Sequence, residues 1–139
     1  MKAQKRGNLV LGRIEKGEEI VTAFKEFCKL HNIKSGFING LGAVEDVQIA
    51  YYNVEEKKYH HKKLKGDFEI VSLSGTISVF NEEPHIHLHI ALGDEDFRIT
   101  GGHLDHGIVS LTCEFIITGF DEEIIRKPDP ETGLNLLDF

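Results

Sequence analysis

The sequence predicts an α+β domain built on a twisted, mainly antiparallel β-sheet with one or two packed helices. Three observations predict it. A single early segment carries helical periodicity, nearly everything after it alternates with period two, and glycines punctuate the joints. At 139 residues the chain has the length of one domain, with a core over about residues 8–120 and an acidic C-terminal extension over 121–139.

Asn8 to Ile14 reads as the first strand, followed by the break at Gly17. Glu18 to His31 is the helix. Ile20, Val21, Phe24, Phe27, Cys28 and Leu30 recur at spacings of three and four, and Glu18 and Glu19 favour the end where the helix dipole is positive. Asn32 is its stop. Ser35 to Asn39 is a short apolar strand ending in Gly40-Leu41-Gly42, where two glycines permit a bulge or a sharp turn. Val44 to Asn53 follows, and Lys57 to Lys65 is its edge hairpin partner. Phe68 to Phe80 places Val71, Leu73, Ile77 and Val79 on one face and Ser72, Ser74, Thr76 and Ser78 on the other. His85 to Leu92, Phe97 to Leu104 and Ile108 to Phe120 complete the set. Pro128 and Pro130 make the tail from Asp121 an irregular extension, whose Leu134, Leu136, Leu137 and Phe139 are available to dock on a neighbouring surface.

Composition narrows the function. Hydrophobic residues at 40% and charged residues at 28% are those of a globular chain rather than a disordered one. The net charge of −7 repels a phosphate backbone, so nucleic-acid binding needs a local basic patch. One exists, Lys57-Lys58-Tyr59-His60-His61-Lys62-Lys63-Leu64-Lys65, and it reads first as a solvated hairpin whose lysines guard an edge strand. Cys28 and Cys113 lie far apart inside apolar patterns and make neither a disulfide framework nor a zinc knuckle. The apolar run Leu9-Val10-Leu11 is too short for a signal peptide, and no stretch reaches transmembrane length. A cytoplasmic protein with no membrane partner is expected.

The chemistry concentrates in His85-Ile86-His87-Leu88-His89 and Gly101-Gly102-His103. Residues i, i+2 and i+4 of a strand share a face, so the three histidines of the row point the same way. Neighbours in the row are ~7 Å apart at the backbone and the outer two ~13 Å. Metal–nitrogen bonds of ~2.0–2.1 Å therefore admit one adjacent pair, not all three. A further ligand must come from another strand, and His103 is the supplier. Parity counted from Phe97 puts His103 on the aliphatic face, and a bulge at Gly101-Gly102 would return it to the polar one. Three nitrogens leave a fourth position open, as at catalytic zinc sites. The alternative is a row of histidines that only hydrogen-bond on a polar face. His60 and His61 point to opposite faces, His31 sits at a helix end and His106 in a turn, so these four receive no role.

Ser35-Gly36-Phe37-Ile38-Asn39-Gly40-Leu41-Gly42-Ala43-Val44, Gly75-Thr76-Ile77-Ser78, Pro84-His85-Ile86-His87-Leu88-His89 and Gly101-Gly102-His103-Leu104 with Gly107 resemble, in that order, the PPC domain (plants and prokaryotes conserved). The resemblance spans about Asn8 to Phe120. It implies an α+β domain with a central antiparallel sheet, assembled as a homotrimer. Plant members follow a DNA-binding AT-hook, which this sequence lacks, so their DNA role is not transferred. The fold is also similar to that of acetolactate decarboxylase, whose zinc is held by a His-x-His pair and a later His. Carried over by motif, the ligands here are His87, His89 and His103, with His85 as the alternative ligand and zinc, or another divalent transition metal, as the ion.

Three functions compete. The first is a metal-dependent enzyme on a small polar molecule, with Glu114 as general base or as a partner behind the ligands, and Arg98 holding an anionic substrate. The second is a trimeric DNA-binding or regulatory module without catalytic activity. The third is a scaffold whose polar sheet face is the trimer interface. The sequence names no substrate and does not decide whether the chain is an enzyme.

Overall fold

The computed structural model describes all residues, 1–139. One helix, α1 (Ile20–Leu30), interrupts eight strands: β1 (Lys2–Arg6), β2 (Leu9–Glu15), β3 (Gly36–Asn53), β4 (Lys58–Phe80), β5 (Glu83–Gly93), β6 (Ile99–Gly119), β7 (Ile125–Pro128) and β8 (Asn135–Asp138). The expected one or two helices thus resolve to one. It is too short and too polar to cross a membrane.

Helix α1 lies where the periodicity placed it. The Glu19 carboxylate accepts from the backbone N–H of Val21 at 3.0 Å and of Thr22 at 2.7 Å, serving two donors that no helical carbonyl reaches. At the far end Asn32 takes a left-handed φ of 51°, and the Ile33 N–H returns to the Cys28 carbonyl at 2.9 Å. Ile20, Phe24 and Cys28, one turn apart, are fully buried on the side that packs against β5 and β6. Phe24 meets Phe115 of β6 edge-on at 4.9 Å.

Strand order is β1-β2-β6-β3-β4-β7-β8, and β5 bridges β4 to β6. β3, β4, β5 and β6 therefore pair in a closed circuit, all antiparallel. Closing so few strands requires bends, and the long strands bend at register shifts: Gly40/Gly42 and Glu45/Val47 in β3, Ile70/Ser72 in β4. These shifts absorb the glycines without ending the ladder. Segments predicted separately, Ser35–Asn39 with Val44–Asn53, Lys57–Lys65 with Phe68–Phe80 and Phe97–Leu104 with Ile108–Phe120, are consequently three continuous strands. Val71 leaves its predicted face for the same reason: it sits in the β4 shift and turns outward while Ile70 and Leu73 turn in.

Two further differences concern the ends. β1 pairs with β2 although Lys2–Arg6 is exposed throughout and shows no apolar alternation from which a strand could be read. The tail predicted as irregular forms the β7–β8 hairpin, from Ile125↔Asp138 to Pro128↔Asn135, and joins the sheet through one parallel contact of Ile125 with Val79. Pro128 is tolerated because it is the last residue of its strand.

Candidate metal centre

β5 carries His87 and His89 on one face, and the β5–β6 ladder places His103 directly opposite His89. Ring centroids are 5.2 Å apart for His87–His89, 5.1 Å for His87–His103 and 5.7 Å for His89–His103. One ring nitrogen from each lies within 4.8 Å of the others. A tetrahedral ion with bonds of ~2.0–2.1 Å brings its nitrogens to ~3.3 Å of one another, so small ring rotations complete the approach.

His103 reaches this face without a bulge. The β5–β6 register is unbroken from Gly93↔Ile99 to His89↔His103. The parity count fails at its origin, because Phe97 is a left-handed turn residue, φ 60°, and 92% exposed rather than a core position. The odd positions of this stretch face outward, and Leu104 faces the core. The glycines serve a different need. A Cβ on Gly101 would stand 2.3 Å from the Ile90 carbonyl oxygen, and one on Gly102 2.7 Å from that of Ala50, so their absence lets β3, β5 and β6 approach.

The donor set fits a divalent transition metal. Nδ1 of His103 is buried and has no hydrogen-bond partner, a costly state for an imidazole unless another ligand engages it. Burial, reinforced by the charges of His103 and then Arg126, pushes His87 down to about 4. Burial also lowers His103, against a raising pull from Asp105. Both rings are therefore neutral at pH 7, the form that ligates a metal.

Sequence reasoning missed the residues around this triplet. Oδ1 of Asp105 lies 3.8 Å from His103 Nε2, while its Oδ2 accepts from His61 Nδ1 at 2.6 Å and from Gln48 Nε2 at 3.2 Å. The Tyr59 ring stacks against His103 with centroids 4.9 Å apart. Burial, then Tyr52 and Asp105, push the Tyr59 hydroxyl up, so it stays protonated. Arg126 of β7 covers the hydroxyl row of β4. Its Nε donates to Ser78 Oγ at 2.8 Å, Nη2 to Thr76 Oγ1 at 3.2 Å and Nη1 to the Asn135 carbonyl at 2.7 Å. With Tyr59, His85, His87, His103 and residues 134–136 it encloses a cavity of about 230 Å³. The Thr76–Ser78 end of the polar sheet face is thus covered by the chain's own tail, while Ser72 and His89 stay exposed.

Other sequence candidates lie elsewhere. His85 stands outside the triplet, opposite Ser78 and near the Phe80 ring at 6.2 Å, though it lines the same cavity. Glu114 is not brought to the histidines: it is exposed, far along β6, and paired in register with Arg13 and Leu41. Arg98 is exposed and ion-paired with Asp96 at 2.8 Å. His61, given no role from the sequence, belongs to the Asp105 pair, and His106 lies within β6, 3.8 Å from Glu19.

A small closed antiparallel sheet with one helix packed on it, and a histidine triplet on adjoining strands, defines a domain class, and comparison with known proteins identifies it. The profile of the Plants and Prokaryotes Conserved (PCC) domain matches residues 1–121, and the chain belongs to that family, the one its motifs resemble. A solved structure of a proposed DNA-binding protein from Bacteroides thetaiotaomicron VPI-5482 is similar, with TM-score 0.95, 38% identity and coverage of 99% of this chain and 96% of that one. A metal-containing protein from Archaeoglobus fulgidus has TM-score 0.89, 33% identity and coverage of 97% and 96%. Among curated proteins the chain is 28% identical over 123 residues to the bifunctional protein GlmU of Synechococcus sp. (strain JA-3-3Ab). That match takes in 87% of this chain but only 19% of the much longer relative.

Proposed function

We propose that this chain is a metal-binding member of its family, holding one divalent transition ion, zinc in the first place, on His87, His89 and His103, and using it on a small polar molecule within a homotrimer. The observation that carries the reading is the convergence of three imidazoles from two strands, one with a buried nitrogen that nothing else engages. The metal-containing Archaeoglobus relative supports it. The likeness to acetolactate decarboxylase contributes only the ligand spacing.

When bound, zinc supplies Lewis acidity, which polarises a carbonyl or acidifies water. Three protein nitrogens are one short of a closed structural set. Asp105, 3.8 Å from the second nitrogen of His103, would fix that ring's tautomer once a small rotation of the ring onto the ion brings the two within hydrogen-bond distance. The short His61–Asp105 contact holds a proton at His61 Nδ1 close to the site. Tyr59 covers one face of His103 and limits water. The trimer reading draws support from the outer face of β2, β6 and β3, where Leu9, Leu11, Phe37, Leu41 and Ile116 are exposed on neighbouring rungs. Glu114 lies on that face, so we assign it no catalytic task.

The second reading, a DNA-binding or regulatory module, is favoured by the exposed Lys58, Lys62 and Lys63 on the outer edge of β4, and by the proposal made for the Bacteroides relative. The net charge of −7 opposes it. Elemental analysis of the purified protein separates the two. About one transition-metal ion per chain, lost in His87→Ala and His103→Ala, supports the metal reading. No stoichiometric metal in the wild type, with salt-dependent retention of DNA, overturns it.

A further inference from the structure

The cavity over the histidines has a second chemical pole. Arg126 is half-buried and has no carboxylate within 4.0 Å, although the acid on the opposite strand of its own hairpin, Asp138, pairs with Lys127 at 2.7 Å. All three of its hydrogen bonds go to neutral acceptors: two hydroxyls, one on the fully buried Ser78, and a backbone carbonyl. A guanidinium has five N–H groups, so one on each Nη is unclaimed. A half-buried cation held rigidly by neutral groups is poorly compensated, and an anion in the adjoining cavity would complete it.

We propose that this cavity binds a small carboxylate and that Arg126 receives its carboxylate group. Two unclaimed N–H groups on a planar fork suit the two oxygens and single charge of a carboxylate. A phosphate brings about two charges and three strong acceptor oxygens, for which the cavity holds no second permanent cation. The volume of about 230 Å³ is below the ~300–1,000 Å³ of pockets for drug-sized ligands, which keeps the ligand small. His87 and His103 line the same cavity, so a carboxylate on Arg126 presents the rest of its molecule to the metal side. Arg126 also lies beyond residue 121, where the family match ends, so the tail, not the matched domain, sets this specificity. The proposal rests on the metal reading for its second pole only.

The test is a titration of the full-length protein with glycolate, glycolamide and inorganic phosphate, followed by calorimetry and thermal melting. Glycolate is expected to bind and raise Tm, while the neutral, nearly isosteric glycolamide binds about tenfold to a hundredfold more weakly. Arg126→Met is expected to lose that preference, and Arg126→Lys, which keeps the charge without the fork, to retain part of it. The wild-type comparison needs no variant, so it stands even if Arg126→Met loosens the hairpin. Equal binding of glycolate and glycolamide, or tighter binding of phosphate than of glycolate, overturns the proposal. The same titration on chelator-treated protein separates the two readings. A carboxylate preference that needs Arg126 but no metal leaves the anion site standing if the metal reading falls. Metal-loaded protein without the preference sinks the anion site alone.

Discussion

Gly75→Ala tests how the fold holds the histidines. Gly75 sits in β4 opposite Leu88, between the rungs Thr76↔His87 and Ser74↔His89. Its φ is not in the left-handed region, so space alone is at issue. A Cβ there would lie 1.9 Å from the His87 carbonyl oxygen and 2.8 Å from Leu88 Cδ2. Restoring ordinary contact with the carbonyl takes a retreat of ~1.5 Å, more than a ladder hydrogen bond tolerates. Overpacking costs ~1–3 kcal/mol, and each loosened backbone bond adds about 1 kcal/mol. A total of ~2–4 kcal/mol is expected, read in urea as a fall in midpoint of roughly 1–2 M. A metal site tolerates only about ±0.2 Å in its ligand distances, so zinc affinity should fall at least about tenfold. Gly93→Ala is the control, because its Cβ meets only side-chain atoms at 3.4 Å and beyond, and it should stay within about 0.5 kcal/mol of wild type. A Gly75→Ala protein with wild-type midpoint and wild-type zinc affinity would refute the reasoning.

Phe24→Ala removes a fully buried ring packed edge-on against Phe115, and should cost ~3–5 kcal/mol in chemical denaturation; a loss below about 1 kcal/mol would mean the helix is not seated on the core. Cys28 and Cys113 are buried, and burial pushes both thiols up to about 12, so neither should react with a thiol reagent until the protein unfolds; rapid native-state labelling contradicts that burial. In metal-free protein His87 takes its proton only at about 4, against 6.5 when exposed, so the unfolded chain binds more protons between these values. Its contribution is present above pH 6.5 and is lost as pH falls toward 4, and His87→Gln should flatten the fall of Tm across that window; an unchanged slope counts against it. Asp105→Asn should weaken zinc binding about 10–100-fold in a chelator competition while the protein stays folded, and unchanged affinity would remove Asp105 from behind His103.

What the sequence made legible follows from how local each feature is. The helix shows in the spacing of Ile20, Phe24 and Cys28, because one face of one element decides it. The His87–His89 pair shows because strand alternation needs no partner. His103 is legible as a candidate, but its direction depends on whether Phe97 is core or turn, which only the turn geometry at φ 60° decides. Asp105 is harder. It occupies the shift where Gln48 and Ile49 of β3 face His106 and Leu104 of β6, so β6 carries one extra residue and parity counted along the strand loses its meaning there. Arg126 leaves no signal at all. Its partners Ser78 and Thr76 are about fifty residues away, and the neighbouring prolines suggest irregular chain rather than a hairpin.

The site owes its position to β5. Of the four strands in the closed circuit it is the shortest, and it closes the second path from β4 to β6, opposite the one through β3. His87 faces the β4 hydroxyl row, while His89 faces His103 across the β6 ladder, so two registers must hold at once for the triplet to converge. A one-residue slip in either would send these side chains to the core side. Two contacts guard these registers, Gly75 under the His87 carbonyl and Gly101 under that of Ile90, and a third, Gly102 under that of Ala50, holds β6 to β3. Each admits a backbone oxygen where any other residue would place a Cβ, and none touches a histidine side chain. The glycines in the family's motifs and the histidines beside them therefore answer one requirement. The close approach that closes the sheet is also what brings the three imidazoles together, so a substitution that relaxes the sheet should disperse the site before it unfolds the chain.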